Sequence, residues 1–189
     1  GRHASLTVNE KEQPLADLIG VYSVPASEEA LTLRFTPTNG REFAGVQVNG
    51  TAVEESAFEK DAYVVEISAE EAAKGLDHLY EFTIVDKENL REVITIAESE
   101  NVKAQVEAAV PSVQKKYKEA LQAAKAIEEK KTASQDEINN AMFELIEALQ
   151  YLSFAAGDKS QLEIPMEIAK QINRENFTPE SVQALDDAY

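Results

Sequence analysis

The chain has 189 residues with no cysteine and no tryptophan, and its 18 basic against 35 acidic side chains leave a formal net charge of -17. The deficit runs through both halves, 8 basic against 18 acidic residues in 1–97 and 10 against 17 in 98–189, so no basic face is available to displace counterions from nucleic acid or to hold an anionic membrane. Lack of cysteine removes disulfides, thiolate metal sites and cysteine nucleophiles together, and no run reaches the roughly 18–20 apolar residues of a membrane span.

Hydrophobic residues at 43% suffice for two small aliphatic cores. Residues 1–20 lack the basic start and apolar centre of a signal peptide, so any export signal or anchor is expected outside this segment. An early strand is expected at Ser5 to Val8. From Leu31 to Phe35 the apolar residues Leu31, Leu33 and Phe35 alternate with Thr32 and Arg34, the period of a half-buried strand. Pro37, Asn39 and Gly40 then supply a turn, and a second alternating run passes through Phe43, Val46 and Val48 to Asn49-Gly50, the strongest hairpin signal in the chain. Val53 resumes the pattern, Tyr63 to Ile67 is a further strand, and Glu70 to Lys74 is better suited to one helical turn than to a strand.

Leu79 to Val85 and Leu90 to Ile96 flank the polar group Asp86-Lys87-Glu88-Asn89, and this pattern predicts a closing hairpin. The unbroken β-branched run Val93-Ile94-Thr95-Ile96 favours a strand there. Strands at short spacing with turn chemistry between them imply an antiparallel sandwich.

After Glu98 the spacing becomes helical, with Val113, Tyr117, Ala120, Leu121 and Ala124 on one face. Ser134 to Glu137 has the form of a Ser-x-x-Glu capping box, and Ile138, Ala141, Met142, Leu145, Leu149 and Leu152 line the helix that follows, which Ala155 to Asp158 ends. A further helix is expected from about Lys159 to Asn173, with Pro165 in its first turn or kinking it, and another start at Thr178-Pro179-Glu180.

Tyr117, Leu121, Ala124, Thr132-Ala133-Ser134, Ile138, Ala141, Leu145 and Leu149 sit where FIVAR modules carry their core. Over Glu98 to Phe154 the chain resembles these small three-helix units of Gram-positive surface proteins and secreted glycosidases, and Asp158-Lys159-Ser160-Gln161-Leu162 resembles the opening of a second copy. Ser112-Val113-Gln114 recurs as Ser181-Val182-Gln183. A competing register matches Asp86, Lys87, Leu90, Ile96 and Ala97 with Asp158, Lys159, Leu162, Ile168 and Ala169, and would make 88–98 a helix of the first copy. The strand-rich half looks like the bacterial immunoglobulin-like or fibronectin-like modules that accompany FIVAR units, an analogy of architecture.

Chemistry is sparse. His3 and His78 have no second histidine within helical or hairpin reach, as a metal site would need. No Gly-x-Ser-x-Gly elbow, phosphate loop or EF-hand is present. The carboxylate pairs, such as Glu54-Glu55 and Glu70-Glu71, are too common in so acidic a chain to mark a glycosidase cleft. Exposed aromatic rings can stack on sugars. Tyr22 and Phe58, placed in loops, are the candidate ligand contacts, whereas Phe43 and Phe82 continue core faces.

The expectation is therefore an α+β chain in segregated domains: an Ig-like antiparallel β-sandwich over 1–97, an antiparallel three-helix FIVAR-like bundle over 98–156, and the beginning of a further helical repeat over 157–189. Its expected role is a non-catalytic spacer and interaction segment of a larger extracellular or cell-wall protein, monomeric, without catalytic, cofactor or metal residues and without nucleic-acid partners. The rivals are a module binding glycan or a host or cell-wall protein through Tyr22 and Phe58, and a catalytic domain of unknown type. Calcium stabilisation is a minor variant.

Overall fold

The computed structural model describes residues 3–14, 22–75 and 78–153, together with Gln183. The helices expected from Lys159 and from Thr178, and the second repeat they would form, lie outside the described residues.

Among the described residues seven strands form two antiparallel sheets. The first takes the order β2-β1-β3-β6, from β1 (Ala4–Val8), β2 (Lys11–Glu12), β3 (Leu31–Pro37) and β6 (Tyr63–Ile67). The second takes the order β5-β4-β7, from β4 (Glu42–Val48), β5 (Thr51–Ala52) and β7 (Tyr80–Val85). Alternation decides the inward face: Ala4, Leu6 and Val8 of β1 and Leu31, Leu33 and Phe35 of β3 are buried together with Phe43 and Val46 of the other sheet. Phe35 lies 4.9 Å from Phe82 and 5.0 Å from Tyr80 between ring centroids, so aromatic pairs hold the two sheets face to face, and within the second sheet Phe43 stacks on Phe82 at 4.7 Å.

The turn chemistry is the kind anticipated. Asn49 and Gly50 have φ of 52° and 77°, the left-handed pair that a two-residue hairpin needs, and they connect β4 to β5. Ala69–Lys74 is a short helix, α1, whose Ser68 cap and Glu71 side chain satisfy each other's backbone amides.

The closing hairpin does not form. Residues Glu88–Ala97 are a helix, α2, in which Leu90, Ile94 and Ala97 are buried. The change from strand to helix therefore falls just after Val85. Intrinsic β-propensity of Val93 to Ile96 yields to tertiary burial, because Leu90, Val93, Ile94 and Ala97 also have helical spacing and meet a helical core. Thr95 further satisfies its hydroxyl on the Arg91 carbonyl one turn back, at 2.8 Å.

Three more helices follow among the described residues: α3 (Glu100–Ala108), α4 (Pro111–Glu129) and α5 (Gln135–Gln150). Pro111 occupies the first turn of α4, where its missing N–H costs nothing. Helices α2, α4 and α5 pack on one another around Leu90, Tyr117, Ala124, Ile138 and Leu145, and Tyr117 fixes the end of α2 by donating its hydroxyl to the Ala97 carbonyl at 2.7 Å. Ser134 and Glu137 make the anticipated capping box at the start of α5. Replacing Ser134 by alanine is expected to cost about 1 kcal/mol in chemical denaturation. A loss no larger than that of an exposed Ser112→Ala control would show that the cap contributes nothing.

Candidate functional site: the joint between sheets and helices

Only Asp86 and Lys87 separate the last strand from α2, which leaves no length for a flexible linker. The two parts also share apolar contacts, since Ala44 of β4 and Val85 of β7 are buried in the helical cluster. At the start of β4 both faces are covered: Phe43 points into the sandwich, while Glu42 and Ala44 are buried on the side of the helices.

At the centre lies Lys87, with no exposed side-chain surface. Its ammonium donates to the carbonyls of Glu128 at 2.7 Å and Lys130 at 2.9 Å, and faces Glu42 Oε2 at 3.3 Å as an ion pair. Those carbonyls belong to the last turn of α4, where backbone acceptors lack partners within the helix and the helix dipole is negative. Lys60 adds a bond to the Glu128 carbonyl at 3.2 Å. Arg91 then bridges two carboxylates, pairing with Glu42 through Nη2 and donating from Nε to Glu128 Oε1 at 2.8 Å.

The outer ring of the joint is equally specific. Gln135 at the start of α5 exchanges two bonds with the backbone of Asp86, accepting from its N–H at 2.9 Å and donating to its carbonyl at 3.0 Å. Lys131 donates to the carbonyls of Glu55 and Phe58 at 2.8 and 2.7 Å, and its ammonium lies 5.1 Å from the centre of the Phe58 ring.

Burial pushes the Glu42 carboxyl up, but the Arg91 hydrogen bond and the Lys87 charge outweigh it and hold the group below the usual carboxylate range. Burial pushes Lys87 down, against the pull of Glu42. A depressed carboxyl stabilises the fold above its unfolded pKa, and that stability is lost as the pH falls through its folded pKa. Lys87 is protonated in both states across this acidic range and contributes no slope there. The melting temperature is therefore expected to fall as the pH drops below the ordinary glutamate value of about 4.3, and Glu42→Gln should flatten part of that acid limb. An unchanged acid limb in Glu42→Gln would remove Glu42 from this role.

The joint was not visible in the sequence. Asp86-Lys87-Glu88-Asn89 reads as a turn, and nothing in composition marks one lysine of a polar run as buried. The signal available was the register that pairs Asp86-Lys87 with Asp158-Lys159 and makes 88–98 helical.

The two candidate ligand contacts sit at this same end of the sheets. Phe58, expected in an unconstrained loop, is only 4% exposed and packs in the sandwich core. Tyr22 is half-buried, its hydroxyl donated to the Ala4 carbonyl at 2.9 Å. The structure does not bring them together as an exposed aromatic pair. His78 is exposed, its Nδ1 2.9 Å from the Tyr80 hydroxyl, and His3 Nδ1 lies 3.3 Å from Arg41. Among the described residues no group of three or more His, Asp or Glu converges as a metal site, and no helix is long and apolar enough to cross a membrane. A cavity of about 700 Å³ lies between the sheets, bordered by Leu6, Leu33, Phe35, Tyr22, Tyr80 and Phe82.

Comparison of the chain with family models, with curated proteins and with solved structures gave no match.

Proposed function

We propose that this chain is a non-catalytic structural segment of a larger secreted or cell-surface bacterial protein, in which an Ig-like sandwich is fused to a FIVAR-like three-helix unit as one stiff block. The observation that carries this reading is the two-residue joint at Asp86-Lys87, closed by buried charges and by apolar residues common to both parts. A spacer has to hold an angle, and a joint without slack does so. The antiparallel succession of α2, α4 and α5 supports the FIVAR-like reading, with the unit beginning near Asp86 and α3 as an extra short helix.

Stiffness is directly measurable, because the chain lacks cysteine and accepts two unique dye sites. Thr51→Cys at the hairpin far from the joint and Phe143→Cys on α5 are both exposed. Single-molecule energy transfer between them should give one narrow distance population. A broad distribution would defeat the spacer reading.

A second reading, an accessory module binding glycan or a host or cell-wall protein, is favoured by one feature. The end of the sheets opposite the joint lies away from α2, α4 and α5 and carries only the short helix α1 among the described residues, and Leu79 there is 59% exposed. Binding on a glycan array that is lost in Leu79→Ser would support it. Tyr22 and Phe58 are both needed for packing at the other end.

A further inference from the structure

The chain enters the sheets and leaves them at the same end. Ala4 of β1 pairs with Pro37 of β3, and Glu42 of β4 pairs with Val85 of β7, while the turn between Pro37 and Glu42 joins the two pairs. His3 itself accepts a bond at its carbonyl from Thr38 N–H at 2.8 Å. Arg41 in that turn lies 3.3 Å from the His3 ring and 4.0 Å from Asp86. The point of arrival and the point of departure are thus bridged by a single arginine. The helices continue from the departure point: α2 and α5 both start at the joint, and α4 ends there.

This arrangement decides how tension is carried. A pull between His3 and the helices reaches β1 at its Ala4 end, next to the anchored joint. The β1–β3 ladder is then opened from Ala4 towards Val8, one bond at a time, instead of being sheared with all its bonds loaded together. The contacts at risk first are few: Arg41 to His3 and Asp86, the single bond from Thr38, and the Tyr22 hydroxyl on the Ala4 carbonyl. By contrast, Asp86 is tied to α5 by the two Gln135 bonds, and Lys87 is wholly buried. Local opening starts where few contacts must break together.

We infer that β1 is a force-releasable strand: under tension it peels from β3 and lengthens the chain, while β3, β6, β4, β7 and the helices stay folded. The inference is independent of any ligand and takes its biological meaning from the spacer reading.

Optical tweezers on the full chain test it, with handles on Arg2→Cys and Phe143→Cys. The first event should lengthen the chain by at most the segment from Ala4 to Leu31, roughly 27 residues at ~3.5 Å each or about 95 Å, and it should occur below the force that unfolds the remainder. Moving the first handle to Lys11→Cys, just beyond the other end of β1, pulls that strand along its own length and should raise the force of the first event. Equal rupture forces in the two geometries, or a first event of about 290 Å that releases all the strands at once, would overturn the inference. Either result leaves the zero-force distance distribution untouched, so a stiff block with a non-peeling strand remains distinguishable from a flexible one.

Discussion

Lys87→Met is expected to lower the unfolding free energy by about 3–5 kcal/mol, the cost of breaking a buried ion pair by removing one partner. The methylenes would still fit. What is lost is the ammonium that satisfies two terminal carbonyls of α4 and neutralises Glu42. After the change Glu42 keeps only Arg91, and the Lys130 carbonyl loses the one side-chain donor that reaches it among the described residues. At roughly 2–4 °C per kcal/mol for a chain of this size, the melting temperature should drop by about 6–20 °C. Lys87→Arg should not restore it, because a planar guanidinium cannot reproduce three diverging contacts in a closed pocket. The double variant Lys87→Met with Glu42→Gln should lose less than the sum of the two single changes, since the charge left unpaired by the first is removed by the second. Strict additivity would show that the two residues do not act as a pair.

Phe43→Ala should cost a similar amount, about 3–5 kcal/mol. The ring is fully buried, stacks on Phe82 and adjoins Glu42 and Ala44, which face the helices. A cavity here therefore opens next to both clusters. If the shared joint couples them, the sheet signal, followed by exchange of the β3 and β6 amides, and the helical signal at 222 nm should be lost together, as they are for a two-state unit. Helices that persist to the wild-type temperature after the sheet signal has collapsed would mean that the joint orders the two parts without coupling their stability.

Several elements were legible because local chemistry and final packing agree. The alternation of Leu31, Leu33 and Phe35, the Asn49-Gly50 turn, the Ser134 capping box and Pro111 at a helix start each satisfy a local rule that the fold also uses. Residues 90–96 show the opposite case. Four successive β-branched residues suit a strand, yet the same residues carry a helical apolar face, and only the presence of α4 and α5 decides between the two periods. Phe58 was misplaced for a related reason. A short irregular segment shows no periodicity, so its burial depends on the neighbours that fold over it, here the sandwich core and Lys131.

An acidic α+β chain without cysteine chemistry, with antiparallel strands first and amphipathic helices after them, was readable from the sequence. These properties follow from composition and from periodicities that span only a few residues. Tertiary structure alone decided where strand gives way to helix and that Lys87, one lysine in a polar run, would be fully buried. It also brought His3, Arg41 and Asp86 together. Each of those outcomes depends on groups tens of residues apart meeting in one place, where burial and unsatisfied helix carbonyls outweigh the preferences of the local sequence.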